Sequence, residues 1–251
     1  MGIKLNIQHS EFEEIENLNL HSPNQNIAIG DELQKASDIF ISRYDTLINL
    51  KYLVDNGANH IIANSPSLKD EIKSVVDFIN DERKNNLESR IAPKVQNKVI
   101  IESEDGFDKS LQHLLQDIDF DGYHESISSK LNLVTNEFYT NDIFHRTSTQ
   151  KKGEIRVSQD DYKIIIHYKS YTKVKKSSIV SSLYRAAKEK KPRQEGRGAG
   201  LGLYFILQNC DRLQVVQNPE STDFYVYIEK NKRYKDISKR IPSINLYNLK
   251  E

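Results

Sequence analysis

Apolar positions in this chain follow two rhythms, short unbroken runs of strand length and longer stretches spaced three and four apart, and the two alternate. The run at 39–41 (Ile39, Phe40, Ile41) is followed by Leu47, Leu50, Leu53 and Val54 at helical spacing over 46–55, and Gly57 closes that stretch. The pattern then repeats. A second apolar run at 60–63 leads through a turn at Asn64, Ser65 and Pro66 to a helix over about 67–81, with Leu68, Ile72, Val75, Val76 and Ile79 on one face. Ser67, followed by Asp70 and Glu71, reads as its N-terminal cap. Strand, helix, strand, helix in this order predicts parallel pairing with right-handed crossovers. Residues 1–36 carry less pattern, with a weak alternation at 3–7 and turn-forming residues at 21–26.

After a charged and polar stretch at 81–97 that reads as helix tail and linker, the rhythm changes. A strand at 98–102, helices at 107–115 and 123–145, and paired strands at 153–157 and 162–168 come next. A helix at 178–187, a glycine-rich stretch, an apolar helix to about 209 and strands at 213–216 and 224–228 follow. The fold class is therefore α/β: a small parallel module over 1–95, an α+β sandwich of helices over a sheet at 96–229, and a tail at 230–251. The tail is basic, then mixed, and suits either packing on the domain or binding a partner.

Composition narrows the partners. The 251 residues are 37% hydrophobic and 29% charged, which describes a soluble, polar-surfaced protein with enough apolar content for a core. Thirty-six basic residues balance thirty-six acidic ones, so neither nucleic acid nor an anionic membrane is an expected partner. No apolar run approaches the roughly 18 residues of a membrane span, and the first residues, MGIKLNIQHSEFEE, lack a signal-peptide core. The single cysteine, Cys210, can form no internal disulfide and reads as a small core residue; a cytoplasmic location is the expectation. His113, His124 and His145 read as surface residues rather than ligands or phosphoacceptors.

The chemistry concentrates in GRGAGLGL, where Gly196, Gly198, Gly200 and Gly202 remove side chains at alternate positions just before an apolar helix. Such a stretch lets backbone amides come close to an anion, phosphate above all. Upstream, LNLVTNEFYTNDIFH reads as a helix carrying Asn132 and Asn136 four apart on one face. Together with GRGAGLGLYFILQNCDRLQVV it resembles the ATP-binding domain of the GHKL superfamily, shared by histidine kinases, anti-sigma-factor kinases, gyrases and a class of heat-shock chaperones. The resemblance spans about 98–229. It implies that Asn136 holds Mg²⁺, that Gly196, Arg197, Gly198, Gly200, Leu201 and Gly202 surround the phosphates of ATP, and that Thr222 helps hold adenine.

Two departures shape the functional expectation. Asn132 stands where ATP-hydrolysing members place a glutamate to orient water, which argues against hydrolysis more than against phosphoryl transfer. Where the superfamily expects an aspartate that accepts from the adenine amino group, followed by glycines, this chain has Lys169, Tyr171, Thr172 and Lys173; a lysine cannot accept that bond. Between Lys169 and Arg197 lie ten basic and two acidic residues, in the region that forms the superfamily's mobile lid. Further upstream, DNGANHIIANSPS resembles the end of a response-regulator receiver domain, with Asn64 in the place of its lysine. Too little chain precedes Asp38 for the earlier units, which implies a truncated receiver-like module for docking or dimerisation. The expectation is a signalling protein with a degenerate ATP- and Mg²⁺-binding domain, acting through a protein partner or a second copy of itself. The alternative is an active ATP-dependent protein kinase of the anti-sigma or histidine-kinase type, acting on a partner in trans.

Overall fold

A single mixed sheet organises the computed structural model, which describes residues 4–6, 27–33, 35, 37–80, 95–103, 106–146, 151–189, 202–230 and 241–249. Its strands are β1 (Lys4–Asn6), β2 (Ala28–Gly30), β3 (Ile39–Ser42), β4 (His60–Ala63), β5 (Val95–Ile100), β6 (Glu154–Gln159), β7 (Lys163–Ser170), β8 (Arg212–Gln217), β9 (Thr222–Glu229) and β10 (Ser243–Tyr247). They lie side by side in the order β1-β2-β3-β4-β10-β8-β9-β7-β6-β5. The first four are parallel, as the alternation of strand and helix predicts. The run from β8 through β9, β7 and β6 to β5 is antiparallel throughout.

Six helices complete the described chain: α1 (Thr46–Asn56), α2 (Leu68–Asn80), α3 (Phe107–Leu115), α4 (Ile127–His145), α5 (Lys176–Glu189) and α6 (Gly202–Gln208). α1 begins where the Asp45 side chain accepts from the Ile48 amide at 3.0 Å and stops at Gly57, whose φ of 65° is the left-handed conformation glycine adopts freely. On one face of the sheet, Leu50 and Leu53 of α1, Leu114 of α3, Leu131, Val134 and Phe138 of α4, Leu183 of α5 and Ile206 of α6 share one core. On the other face α2 covers a second core through Leu68, Ile72, Val75 and Val76. Ser67 stands at the expected cap position, its carbonyl accepting from the Glu71 amide at 3.0 Å, while its hydroxyl bonds to Ser65 Oγ at 3.0 Å and donates to Glu229 at 3.3 Å across the fold. Glu71, expected in the same cap, is buried and accepts from Ser243 and Asn245.

Two boundaries differ from the sequence pattern. β5 starts at Val95, because Asn97, polar and therefore silent in a hydrophobicity pattern, pairs with Val157 and donates its side-chain amide to the Leu114 carbonyl at 3.3 Å. The tail at 230–251 contributes β10, which lies between β4 and β8, antiparallel to the first and parallel to the second. The alternation of Ser243, Ile244, Asn245 and Leu246 is too short to announce a central strand, and its neighbours are distant in sequence.

Ile244 and Leu246 enter one core and Tyr247 the other, while the His60 ring lies 4.7 Å from that of Tyr247 and tilted by 51° to it. Burial, reinforced by the nearby Lys176 ammonium, pushes His60 from 6.5 down to about 3. The folded imidazole is therefore neutral, while the unfolded one charges below pH 6.5. The unfolded state binds the extra proton, so this contribution to stability is complete above pH 6.5 and is lost progressively as pH falls toward about 3. Urea titrations of wild type between pH 7 and pH 4 should show falling stability, and His60→Leu should have a flatter profile. Parallel profiles would assign the acid sensitivity to other groups.

Candidate functional site

The glycine stretch ends at Gly202, the first residue of α6, and what Gly202 touches defines the site. A Cβ there would collide with Glu137 Oε2 and lie 3.3 Å from Asn141 Nδ2, both on α4. Glu137 and Asn141 are four residues apart and so share one helix face. The opposite side of α4 is fixed by Leu131, Val134 and Phe138 in the core, with Phe138 stacked at 4.8 Å on Tyr168 of β7. Glu137 is half-buried, and this burial raises its carboxyl above the usual carboxylate range. The end of α4 is clamped as well. Arg146 donates to the Ile101 carbonyl at 2.9 Å and to Asp142 at 3.0 Å, and Tyr168 donates its hydroxyl to the same aspartate at 3.0 Å.

Of the residues singled out from the sequence, the structure brings Gly202 to α4 but against a different pair. Asn132 and Asn136 are both exposed. Asn136 accepts from Thr140 Oγ1 at 3.3 Å and lines a separate groove of about 450 Å³ with Phe107, Asp108, Tyr139, Ile143 and Phe144. A step of five residues turns roughly 140° around an α-helix, which is why Glu137 and Asn141 face Gly202 from a different side than Asn132 and Asn136. Gly196, Arg197, Gly198, Gly200 and Leu201 lie outside the described residues.

Thr222 is 0% exposed, and its hydroxyl is bonded to the Thr172 carbonyl at 2.7 Å and to Gln217 Oε1 at 3.0 Å. Lys169 is the penultimate residue of β7, its ammonium 5.9 Å from the ring of Tyr171, whose hydroxyl donates to Glu154 at 3.4 Å. Neither Thr222 nor Lys169 offers a free acceptor to a base.

Glu137 and Asn141 stand in NEFYTND with the spacing of Asn132 and Asn136, one register further along. A carboxylate and an amide oxygen form a donor set suited to a small hard cation that also takes phosphate and water oxygens. The residues present therefore fit a Mg²⁺–phosphate group, whereas the groups near the end of β7 do not fit adenine recognition by a carboxylate. Among the described residues, no cluster of three or more histidine, cysteine or carboxylate side chains could hold a metal alone. Among the described residues, no helix is long and apolar enough to cross a membrane. The chain matches no protein-family model and no curated protein sequence.

Proposed function

We propose that this protein is a GHKL-type regulatory protein that holds the Mg²⁺–phosphate end of a nucleotide between Asn141, Glu137 and the glycine stretch ending at Gly202. The observation that carries the reading is the approach of Gly202 to that carboxylate and amide, so close that no side chain fits between them. Asn141 is the residue that would hold the metal through its amide oxygen, and Glu137 is placed to orient a water or hydroxyl proton beside it. A bound Mg²⁺–nucleotide supplies the phosphoryl group and the charge that draws these side chains into register. The base contributes little affinity, because Thr222 is committed inside the fold and Lys169 cannot accept a hydrogen bond. Regulation then works through a protein partner that reads the loaded state.

A second reading, transfer of a phosphoryl group to that partner, is favoured by Glu137 itself. Its raised carboxyl is a stronger base, when ionised, than an exposed glutamate. One calorimetric series separates the readings. With Mg²⁺, ATP is expected to bind with Kd below about 100 μM, roughly −5.5 kcal/mol. Asn141→Ala should weaken binding at least about tenfold, roughly 1.4 kcal/mol, while Asn136→Ala, on the exposed side, should match wild type. Equal loss in both variants, or no binding at millimolar ATP, would sink the assignment. Appearance of the γ-phosphoryl group of ATP on a protein side chain, lost in Glu137→Gln while binding persists, would select the kinase reading.

A further inference from the structure

We propose that a cleft on the α2 side of the sheet binds a small zwitterion, its carboxylate on Arg212 and its ammonium on Asp70. The cleft, of about 510 Å³, lies between the first turns of α2, the start of β7, and the ends of β8 and β9. Its size matches pockets that enclose small molecules. Its lining includes neither Glu137, Asn141 nor Gly202, so it stands apart from the nucleotide reading.

Arg212 has Glu71 and Glu229 as its charge partners, but its guanidinium fork makes no direct hydrogen bond to either among the described residues. Its guanidinium sits 4.0 Å over the ring of Tyr227, and its side chain is only 17% exposed. The nearest carboxylate oxygen, Glu71 Oε1, is 4.0 Å from Nε, beyond hydrogen-bond reach. Both oxygens of Glu71 are already accepting, from Ser243 Oγ at 2.9 Å and Asn245 Nδ2 at 3.0 Å. Among the described residues the guanidinium therefore donates no hydrogen bond, although a largely buried arginine ordinarily satisfies its fork. A planar carboxylate is the acceptor whose geometry suits that fork.

The other charges in the cleft decide what else the ligand carries. Lys163 is spent on Asp160 at 2.6 Å, and Glu229 accepts from Ser67 at 3.3 Å. Asp70, exposed in the first turn of α2, has no hydrogen-bond or ion-pair partner among the described residues. A lone anion on Arg212 would leave Asp70 unanswered and lie near Glu71 and Glu229, and a lone cation on Asp70 would leave the Arg212 fork unanswered. A molecule with a carboxylate at one end and an ammonium at the other satisfies Arg212 and Asp70 together. Free amino acids and dipeptides have that chemistry and fit the volume.

Ligand-observed NMR against the full-length protein tests this, using each common α-amino acid and glycylglycine as probes, with acetate and methylammonium as single-charge controls. At least one zwitterion is expected to bind with Kd below about 1 mM, roughly −4 kcal/mol, and at least tenfold tighter than either control. Asp70→Asn and Arg212→Met should each weaken it at least tenfold. Asp70 is exposed, so its variant keeps the fold, and methionine preserves the apolar contact of the Arg212 stem with Tyr227. Asn141→Ala should leave this binding unchanged. The proposal is overturned if no probe in the panel binds, if acetate binds as tightly as the zwitterions, or if a folded Asp70→Asn variant keeps full affinity.

Discussion

Truncation after Lys230, which removes β10, is expected to abolish cooperative folding. β10 is an interior strand, and its loss leaves β4 and β8 with unpaired edges where Ile244 meets Ile61 on one side and Leu213 on the other. Ile244, Leu246 and Tyr247, each no more than 5% exposed, leave both cores at once, and burying side chains of this size contributes about 1.5–3 kcal/mol each. The deletion also strips Glu71 of its donors Ser243 and Asn245, leaving a buried carboxylate without those two hydrogen bonds, and removes the Ser243 hydroxyl that accepts from the Ala63 amide at 2.9 Å. Because a domain of ordinary stability has only about 5–15 kcal/mol in reserve, these losses together are comparable to the whole of it. Circular dichroism and size-exclusion chromatography of residues 1–230 should show no cooperative thermal transition and aggregated material. A monomer that melts like the full chain would mean that the two ends of the sheet fold without β10.

Phe138→Ala is expected to cost about 3–5 kcal/mol of stability. Phe138 is 1% exposed, and its ring lies 4.8 Å from that of Tyr168 and 5.8 Å from that of Phe224, so one side chain joins α4 to both β7 and β9. The cavity left by alanine is bounded by strands that cannot collapse into it, which places the cost at the upper part of the usual range. The residue also lies between Glu137 and Tyr139 in sequence, so its packing sets how far α4 presents Glu137 and Asn141 toward Gly202. Nucleotide affinity should fall with stability in this variant, whereas Phe138→Leu should recover most of both. Chemical denaturation of the three proteins, each titrated with Mg²⁺ and ATP, measures the two effects side by side. A stability loss below about 1 kcal/mol would show that α4 is held chiefly by its clamp at Arg146 and Asp142.

Much of the architecture was written in local pattern. The runs at 39–41 and 60–63 became β3 and β4 because a strand with helices on both faces is apolar on both faces, and Gly57 ended α1 because its positive φ is cheap only for glycine. The spacing of Leu68, Ile72, Val75 and Val76 put α2 on the sheet for the same reason. Each of these signals concerns a residue and its neighbours within one or two turns, so no knowledge of the rest of the chain was required.

The tertiary structure alone decided two things. It placed β10 between β4 and β8, a choice that depends on edges contributed by residues some 180 and 30 positions away, which no periodicity in five residues can encode. It also chose which side of α4 faces Gly202. Asn132 with Asn136 and Glu137 with Asn141 carry the same spacing, and α4 buries Thr135 and Asp142 alongside Val134 and Phe138, so polarity does not mark its outer face. Spacing along a helix fixes which side chains stand together, but the helix's rotation about its own axis is set by the packing of Leu131, Val134 and Phe138 against strands far away in sequence. That rotation is why Glu137 and Asn141, rather than the asparagines one register earlier, meet the glycine that begins α6.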